Sequence, residues 1–105
     1  NDLPRAIAGM AANQAALLFV HEPDFADEAS AAHPFIAQFS GHTHGGQVRL
    51  PFIGAPARVP FGKNYIMGTY DVNAMKVYVT RGIGMAVPYY RFMCPPEVTL
   101  VTLSR

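Results

Sequence analysis

Two short apolar runs, residues 16–20 and 35–40, flank a stretch of helical character, and each run leads into a histidine. That spacing leaves little choice of fold. Continuous apolar runs of this length suit strands buried on both faces. A helix between them makes a strand–helix–strand unit with parallel strands and a right-handed crossover. Open α/β sheets place their sites at the carboxyl ends of such strands. The unit therefore predicts that His21 and His42, distant in sequence, meet at one edge of one sheet.

His42 lies in the string Gly41-His42-Thr43-His44-Gly45-Gly46-Gln47. In an extended segment, residues two apart project to the same side, roughly 6.5–7 Å apart. Two imidazoles held that way can each serve a different ion of a pair spaced about 3.5–4 Å apart. The glycines allow a backbone, a metal or a phosphate to come close. A lone His-x-His is equally a polar turn facing solvent. With His21 beside it, three imidazoles at one sheet edge can hold a divalent metal or contribute to two. A hydrolytic two-metal site also needs carboxylates, one of them bridging. Only Glu22 and Asp24 lie near the turn, and neither has an obvious bridging position.

The remaining elements follow from local signals. Asp2 caps a first helix that tolerates Pro4 in its first turn, with Leu3, Ala6, Ile7 and Met10 on one face and a stop at Asn13. Asp24 caps a helix over residues 25–32, with a contact toward a histidine as its alternative role. Residues 48–50 suit a short strand, and the Pro- and Gly-rich residues 51–64 an ordered loop. Residues 65–72 and 75–80 read as an antiparallel hairpin about Asn73-Ala74. A turn at 81–84, an irregular stretch over 86–96 and a last strand over 97–103 complete the chain. Met10, Phe19 and Phe39 are expected in the core, and Cys94 as a small buried residue. His33 is expected to sit exposed or to complement the end of a helix. Arg81 and Arg91 suit either a phosphate or structural carbonyls. Tyr65, Tyr89 and Tyr90 suit a cleft or packing against the Pro-rich loop.

Composition limits the partners. The chain is 50% hydrophobic but only 14% charged, against ~25% for a soluble domain. That implies apolar surface for a partner subunit, or a further part of the same protein, to cover. A net charge of +1 with no basic, aromatic-rich cluster gives no reason to expect nucleic-acid binding. One cysteine excludes an internal disulfide and a cysteine-rich zinc site. The opening on Asn1 rather than Met is what an excised piece would show.

His21-Glu22-Pro23-Asp24, followed by Gly41-His42-Thr43-His44-Gly45-Gly46-Gln47-Val48-Arg49-Leu50-Pro51, resembles the last part of a calcineurin-like metallophosphoesterase. Residues 76–84 and 94–100 resemble the bacterial branch that contains cell-envelope phosphoesterases and a UDP-diacylglucosamine pyrophosphatase. The resemblance covers nearly the whole chain. It implies an α/β fold, the C-terminal half of a four-layer αββα sandwich, with one βαβ unit followed by mainly antiparallel strands. It implies two ions of Mn, Fe or Zn that hydrolyse a phosphoester or pyrophosphate through a bridging hydroxide. His21 and His42 would bind one metal and His44 the other. Asp24 and Gln47 would support these ligands from behind, and Arg81 and Arg91 would contact substrate. The family's Asp-x-His, Gly-Asp-x-x-Asp and Gly-Asn-His-Asp motifs are not among these 105 residues. They supply the bridging aspartate, an asparagine ligand and the histidine that protonates the leaving group. Residues 1–105 are thus expected to be a single partial domain with no catalytic acid of its own, partial or no metal occupancy, and weak or no activity alone. The missing half of the domain, or self-association, would cover its apolar face. A bacterial cell-envelope or membrane-associated setting is the corresponding expectation for location. The alternatives are a non-catalytic metal- or phosphate-binding module and a structural, self-associating fragment.

Overall fold

The computed structural model describes residues 2–104. Strands β1 (Ala16–Phe19), β2 (Phe35–Ser40), β3 (Gly68–Val72) and β4 (Met75–Val79) form one mixed sheet in the order β1-β2-β4-β3. β1 and β2 pair in parallel, as do β2 and β4, while β3 and β4 pair antiparallel. The two strands after the βαβ unit pair antiparallel with each other, and the sheet as a whole is mixed. β4 returns beside β2 in the same direction, and only the hairpin reverses.

The βαβ unit forms where its apolar runs predict. A tight turn, Pro23–Phe25, feeds helix α2 (Ala26–Ala32), whose first turn carries Asp27 and Glu28, where the helix dipole favours acids. His33 is extended (φ −155°, ψ 148°), as a residue before proline prefers. Its ring is neither exposed nor a helix-end partner. It is buried, with Nε2 donating to the Gln14 carbonyl at 2.9 Å and its edge set against Phe35. Helix α1 (Leu3–Ile7) is capped by Asp2, which accepts from the Arg5 amide at 3.2 Å. It is shorter than its apolar spacing suggests. Gly9 weakens continuation, and the chain leaves through turns closed by Met10 N–H to Ile7 and Gln14 N–H to Ala11. Met10 is consequently half-buried rather than core.

Leu3, Ala26, Ala29, Phe35, Val72, Met75, Val77 and Val79 form the core on the α2 side of the sheet. The hairpin turns at Asn73, which adopts the left-handed region (φ 53°) typical of such turns. β3 starts at Gly68 rather than at residue 65, because Ile66 and Met67 donate their amides to the Tyr70 hydroxyl instead of to a strand.

The opposite face is largely open. In register, Leu17 faces Ala37, Phe19 faces Phe39 and Phe39 faces Tyr78. β1 is half-buried along Ala16–Leu18 and exposed at Phe19, so it is not buried on both faces. Phe19 is 75% exposed, contrary to its expected core position, and stacks on Phe39 at 5.2 Å. Among the described residues, the tail carrying Thr99, Val101 and Leu103 overlies this face and leaves a groove of about 440 Å³. The radius of gyration, 14.8 Å, exceeds the ~13 Å of a compact chain of this length, consistent with one face left open.

Residues 97–103 are not a strand. They run over the sheet face instead of along an edge, so side chains rather than a ladder hold them. Glu97 N–H donates to Gly82, while the Glu97 carboxylate accepts from the Tyr78 and Thr99 hydroxyls and pairs with Arg81 at 2.5 Å. Residues 48–50 likewise form only isolated bridges, Val48 to Phe92 and Leu50 to Gly54.

This anchor has a pH signature. Hydrogen bonds from Thr99 and Tyr78, aided by Arg81 and opposed by burial, hold the Glu97 carboxyl down to about 2. The folded value lies below the unfolded one, so the stabilisation is complete above about pH 4.5 and is lost as pH falls toward 2. Urea midpoints should drop across that window. Glu97→Gln should be less stable at pH 7 and should differ progressively less from wild type as the solution is acidified.

Candidate metal centre

β1 and β2 end side by side, and the Gly41 amide donates to the His21 carbonyl at 3.2 Å, tying the two following turns together. This brings His42 Nδ1 to 3.0 Å from His21 Nε2, with the rings edge to face at 4.7 Å. The convergence expected from the strand–helix–strand spacing is present. His42 Nε2 lies 2.8 Å from the Pro60 carbonyl. A carbonyl only accepts, so in the neutral ring Nε2 carries the proton and Nδ1 keeps its lone pair toward His21. Two nitrogens each about 2.0–2.1 Å from one shared ion stand about 3 Å or slightly more apart. The observed contact is a hydrogen bond in which His21 Nε2–H donates to His42 Nδ1, so a shared ion would have to replace that proton. An outer N–H held by a carbonyl is also the usual support of a metal-binding histidine.

His44 does not repeat His42 along an extended strand. Both residues take left-handed backbone, φ 67° at His42 and φ 52° at His44, and a tight turn over His44–Gly46 begins at once. The same-side projection expected of an extended His-x-His is lost. His44 Nδ1 donates to the Gly84 carbonyl at 3.0 Å, which leaves Nε2 as the nitrogen with a free lone pair. Among the described residues, no three His, Cys, Asp or Glu side chains lie close enough to hold one ion. The described chain thus offers two imidazoles together and a third by a separate route.

Close packing requires the glycines. A Cβ on Gly45 would come within 2.5 Å of Arg81 Cγ and 2.7 Å of Cys94 Sγ, and one on Gly46 within 2.3 Å of Ala55 Cβ. Thr43 fixes the turn from inside, its hydroxyl donating to Ile66 and accepting from Gly45 N–H. Cys94 is buried against this turn, as expected of a small apolar residue.

The supporting residues have other partners than the sequence implied. Asp24 makes no cap and reaches no histidine. Its carboxylate accepts from the amides of Lys63, Asn64 and Tyr65 at 2.8, 3.0 and 3.2 Å. It thereby fixes the loop whose Pro60 carbonyl orients His42. The Gln47 side chain also bonds to no histidine, although its backbone N–H donates to the His44 carbonyl at 3.0 Å. Its amide donates to Ala86 and Pro88 and accepts from Ala86 N–H, pinning residues 86–88. The Arg91 guanidinium is enclosed by the carbonyls of His44, Arg81, Gly82, Gly84 and Cys94, and Arg81 is paired with Glu97. For Arg91 the carbonyl role is the one observed. Tyr65 donates to Asp27, and burial ahead of that hydrogen bond pushes its hydroxyl up to about 12. Tyr89 and Tyr90 are exposed. The carbonyls of Pro60 and Gly84 carried no sequence signal, since every residue has one.

The chain is 46% identical over 88 residues to the "Uncharacterized metallophosphoesterase YkuE" of Bacillus subtilis, covering 84% of this chain and 30% of that protein. It is 37% identical over 92 residues to "Phosphodiesterase YaeI" of Escherichia coli, covering 88% and 33%. It is 32% identical over 104 residues to the "Uncharacterized metallophosphoesterase Cj0846" of Campylobacter jejuni, covering 98% and 26%. The chain therefore spans a third or less of the length of these relatives. No family model and no solved structure matches it. Two of these relatives carry the name metallophosphoesterase and one the name phosphodiesterase.

Removing the Asp24 carboxylate tests the loop's dependence on it. Asp24→Ala should cost about 1–3 kcal/mol by stranding three amide donors. Hydrogen exchange at Lys63, Asn64 and Tyr65 should accelerate more than exchange within β2 and β4.

Proposed function

We propose that this chain is the histidine-bearing, C-terminal part of a metal-dependent phosphoesterase whose carboxylate ligands lie in sequence outside these 105 residues. The observation that carries the reading is the His21–His42 pair, two ring nitrogens 3.0 Å apart with the outer N–H of His42 on a carbonyl. His21 and His42 would hold one ion, and His44, through the nitrogen left free by Gly84, would serve a second. Bound Mn, Fe or Zn would supply Lewis-acid polarisation of the phosphoryl oxygen and an activated water. The chain's own contribution is to orient the His42 and His44 rings through the Pro60 and Gly84 carbonyls and to keep Cβ atoms away from the turn. Among the described residues Asp24 is held by loop amides rather than set to bridge two cations, and Arg91 gives its Nη donors to carbonyls while its Nε lies buried without a partner. A complete four-layer sandwich belongs to the same reading, as does kinship with the branch containing UDP-diacylglucosamine pyrophosphatases. Among the described residues, no helix is long and apolar enough to cross a membrane.

For the chain by itself, a metal-binding module without catalysis is the second reading. It is favoured by the commitment of Asp24 to loop amides, which leaves the histidines without a carboxylate partner. In either case the open sheet face, with Phe19 exposed, calls for a cover. Light scattering should report the isolated chain above its monomer mass of 11.4 kDa, and a monodisperse monomer would count against self-association.

Metal titration after dialysis tests the centre directly. His42→Asn tolerates the left-handed backbone and should weaken Mn or Zn binding at least tenfold, as should His21→Ala. Hydrolysis of bis-p-nitrophenyl phosphate by the chain should be slow and should fall further in His42→Asn. Turnover and metal affinity unchanged in that variant would overturn the assignment.

A further inference from the structure

Beside His44, a groove of about 210 Å³ runs between residues 56–59 and 86–88. Both walls are fixed to the histidine turn itself. On one side Ala55 packs so closely on Gly46 that no Cβ fits between them. On the other, Gln47 holds Ala86 and Pro88 by three hydrogen bonds of 2.6–2.8 Å. Val48, Val59, Val87 and Pro88 give the groove an apolar lining, and Arg58 and His44 are its cation and its imidazole. Arg58 spends one donor on the Lys63 carbonyl, which leaves most of its guanidinium N–H groups available.

A phosphoester carries an organic substituent on its phosphate, and that group needs a place next to the ion-binding imidazole. An apolar cavity of about 150 Å³ accommodates a benzene ring, so this groove suits one ring or a short alkyl chain. Resting on the phosphoesterase reading above, we propose that the groove binds the apolar substituent of a phosphoester whose phosphate lies at His44, with Arg58 favouring the anion. The substrate class is then an aryl- or alkyl-substituted phosphoester.

Two phosphonates of equal charge, phenylphosphonate and methylphosphonate, separate the apolar contribution from the ionic one. In NMR titrations of the metal-free chain, phenylphosphonate should bind at least fivefold tighter and should shift the amides of Val48, Val59 and Val87. Val87 is 77% exposed, so Val87→Asp leaves the fold intact, and it should bring the ratio close to one. Arg58→Gln should weaken both ligands alike and preserve the ratio. Equal affinities, no binding of either ligand, or shifts confined to the sheet-face groove at Phe19 and Phe39 would overturn the proposal. The titration needs no metal, so its failure is distinct from failure of the metal centre. A phenyl preference that persists when metal binding fails would overturn the phosphoesterase reading and leave an apolar phosphonate site.

Discussion

The parallel pairing of β1 with β2, Phe19 opposite Phe39, holds the candidate site together. From it follow the Gly41–His21 hydrogen bond and the 3.0 Å approach of two imidazoles. A slip of one residue would turn every β1 side chain to the other face. A slip of two would move His21 by roughly 7 Å and abolish the contact. The pairing is backed by the α2-side core of Val77, Val79, Met75 and Phe35 and, on the open face, by the Phe19–Phe39 stack. The geometry of the histidines is thus set by apolar packing that they take no part in.

Much of this was legible in the residues. Two apolar runs with a helix between them give parallel strands because few other arrangements bury both runs. The convergence of His21 and His42 follows from that topology alone. The hairpin was legible too, through Asn73. What the sequence concealed was of two kinds. One was backbone hand, since nothing in His42 or His44 announces φ > 0, so an extended His-x-His seemed reasonable. The other was the choice of partner. Asp24 before a helix is an ordinary cap signal, yet its carboxylate found three amides of a loop some forty positions away. Arg91 might equally have served an anion, but five carbonyls surround it. Phe19 carried the signal of a core residue on a sheet whose second face is open.

Left-handed backbone at non-glycine residues costs of order 1–3 kcal/mol each, and His42, His44 and Gln47 all adopt it within six residues. Such a run persists only where surroundings over-determine it. Thr43, the Gln47 amide and the Arg91 guanidinium each bond to a different part of it or of its neighbours. The turn is therefore set in its shape before any ligand arrives. Concentrated strain of this kind, beside two paired imidazoles, is more naturally a binding feature than a connection between elements.

The Arg91 cage also bears on the order of events during folding. It joins the His44 carbonyl to a side chain 47 positions downstream, and Cys94 seals the same turn from still farther along. Contacts that close such long loops come late, because chain entropy must be lost before they return any stability. β2 and β4 pair across a separation of nearly the same length, so by loop entropy the β1–β2 pair precedes both. A chain halted before residue 91 would still pair β1 with β2 and set His21 beside His42, while the His44 carbonyl lacked the guanidinium that holds it.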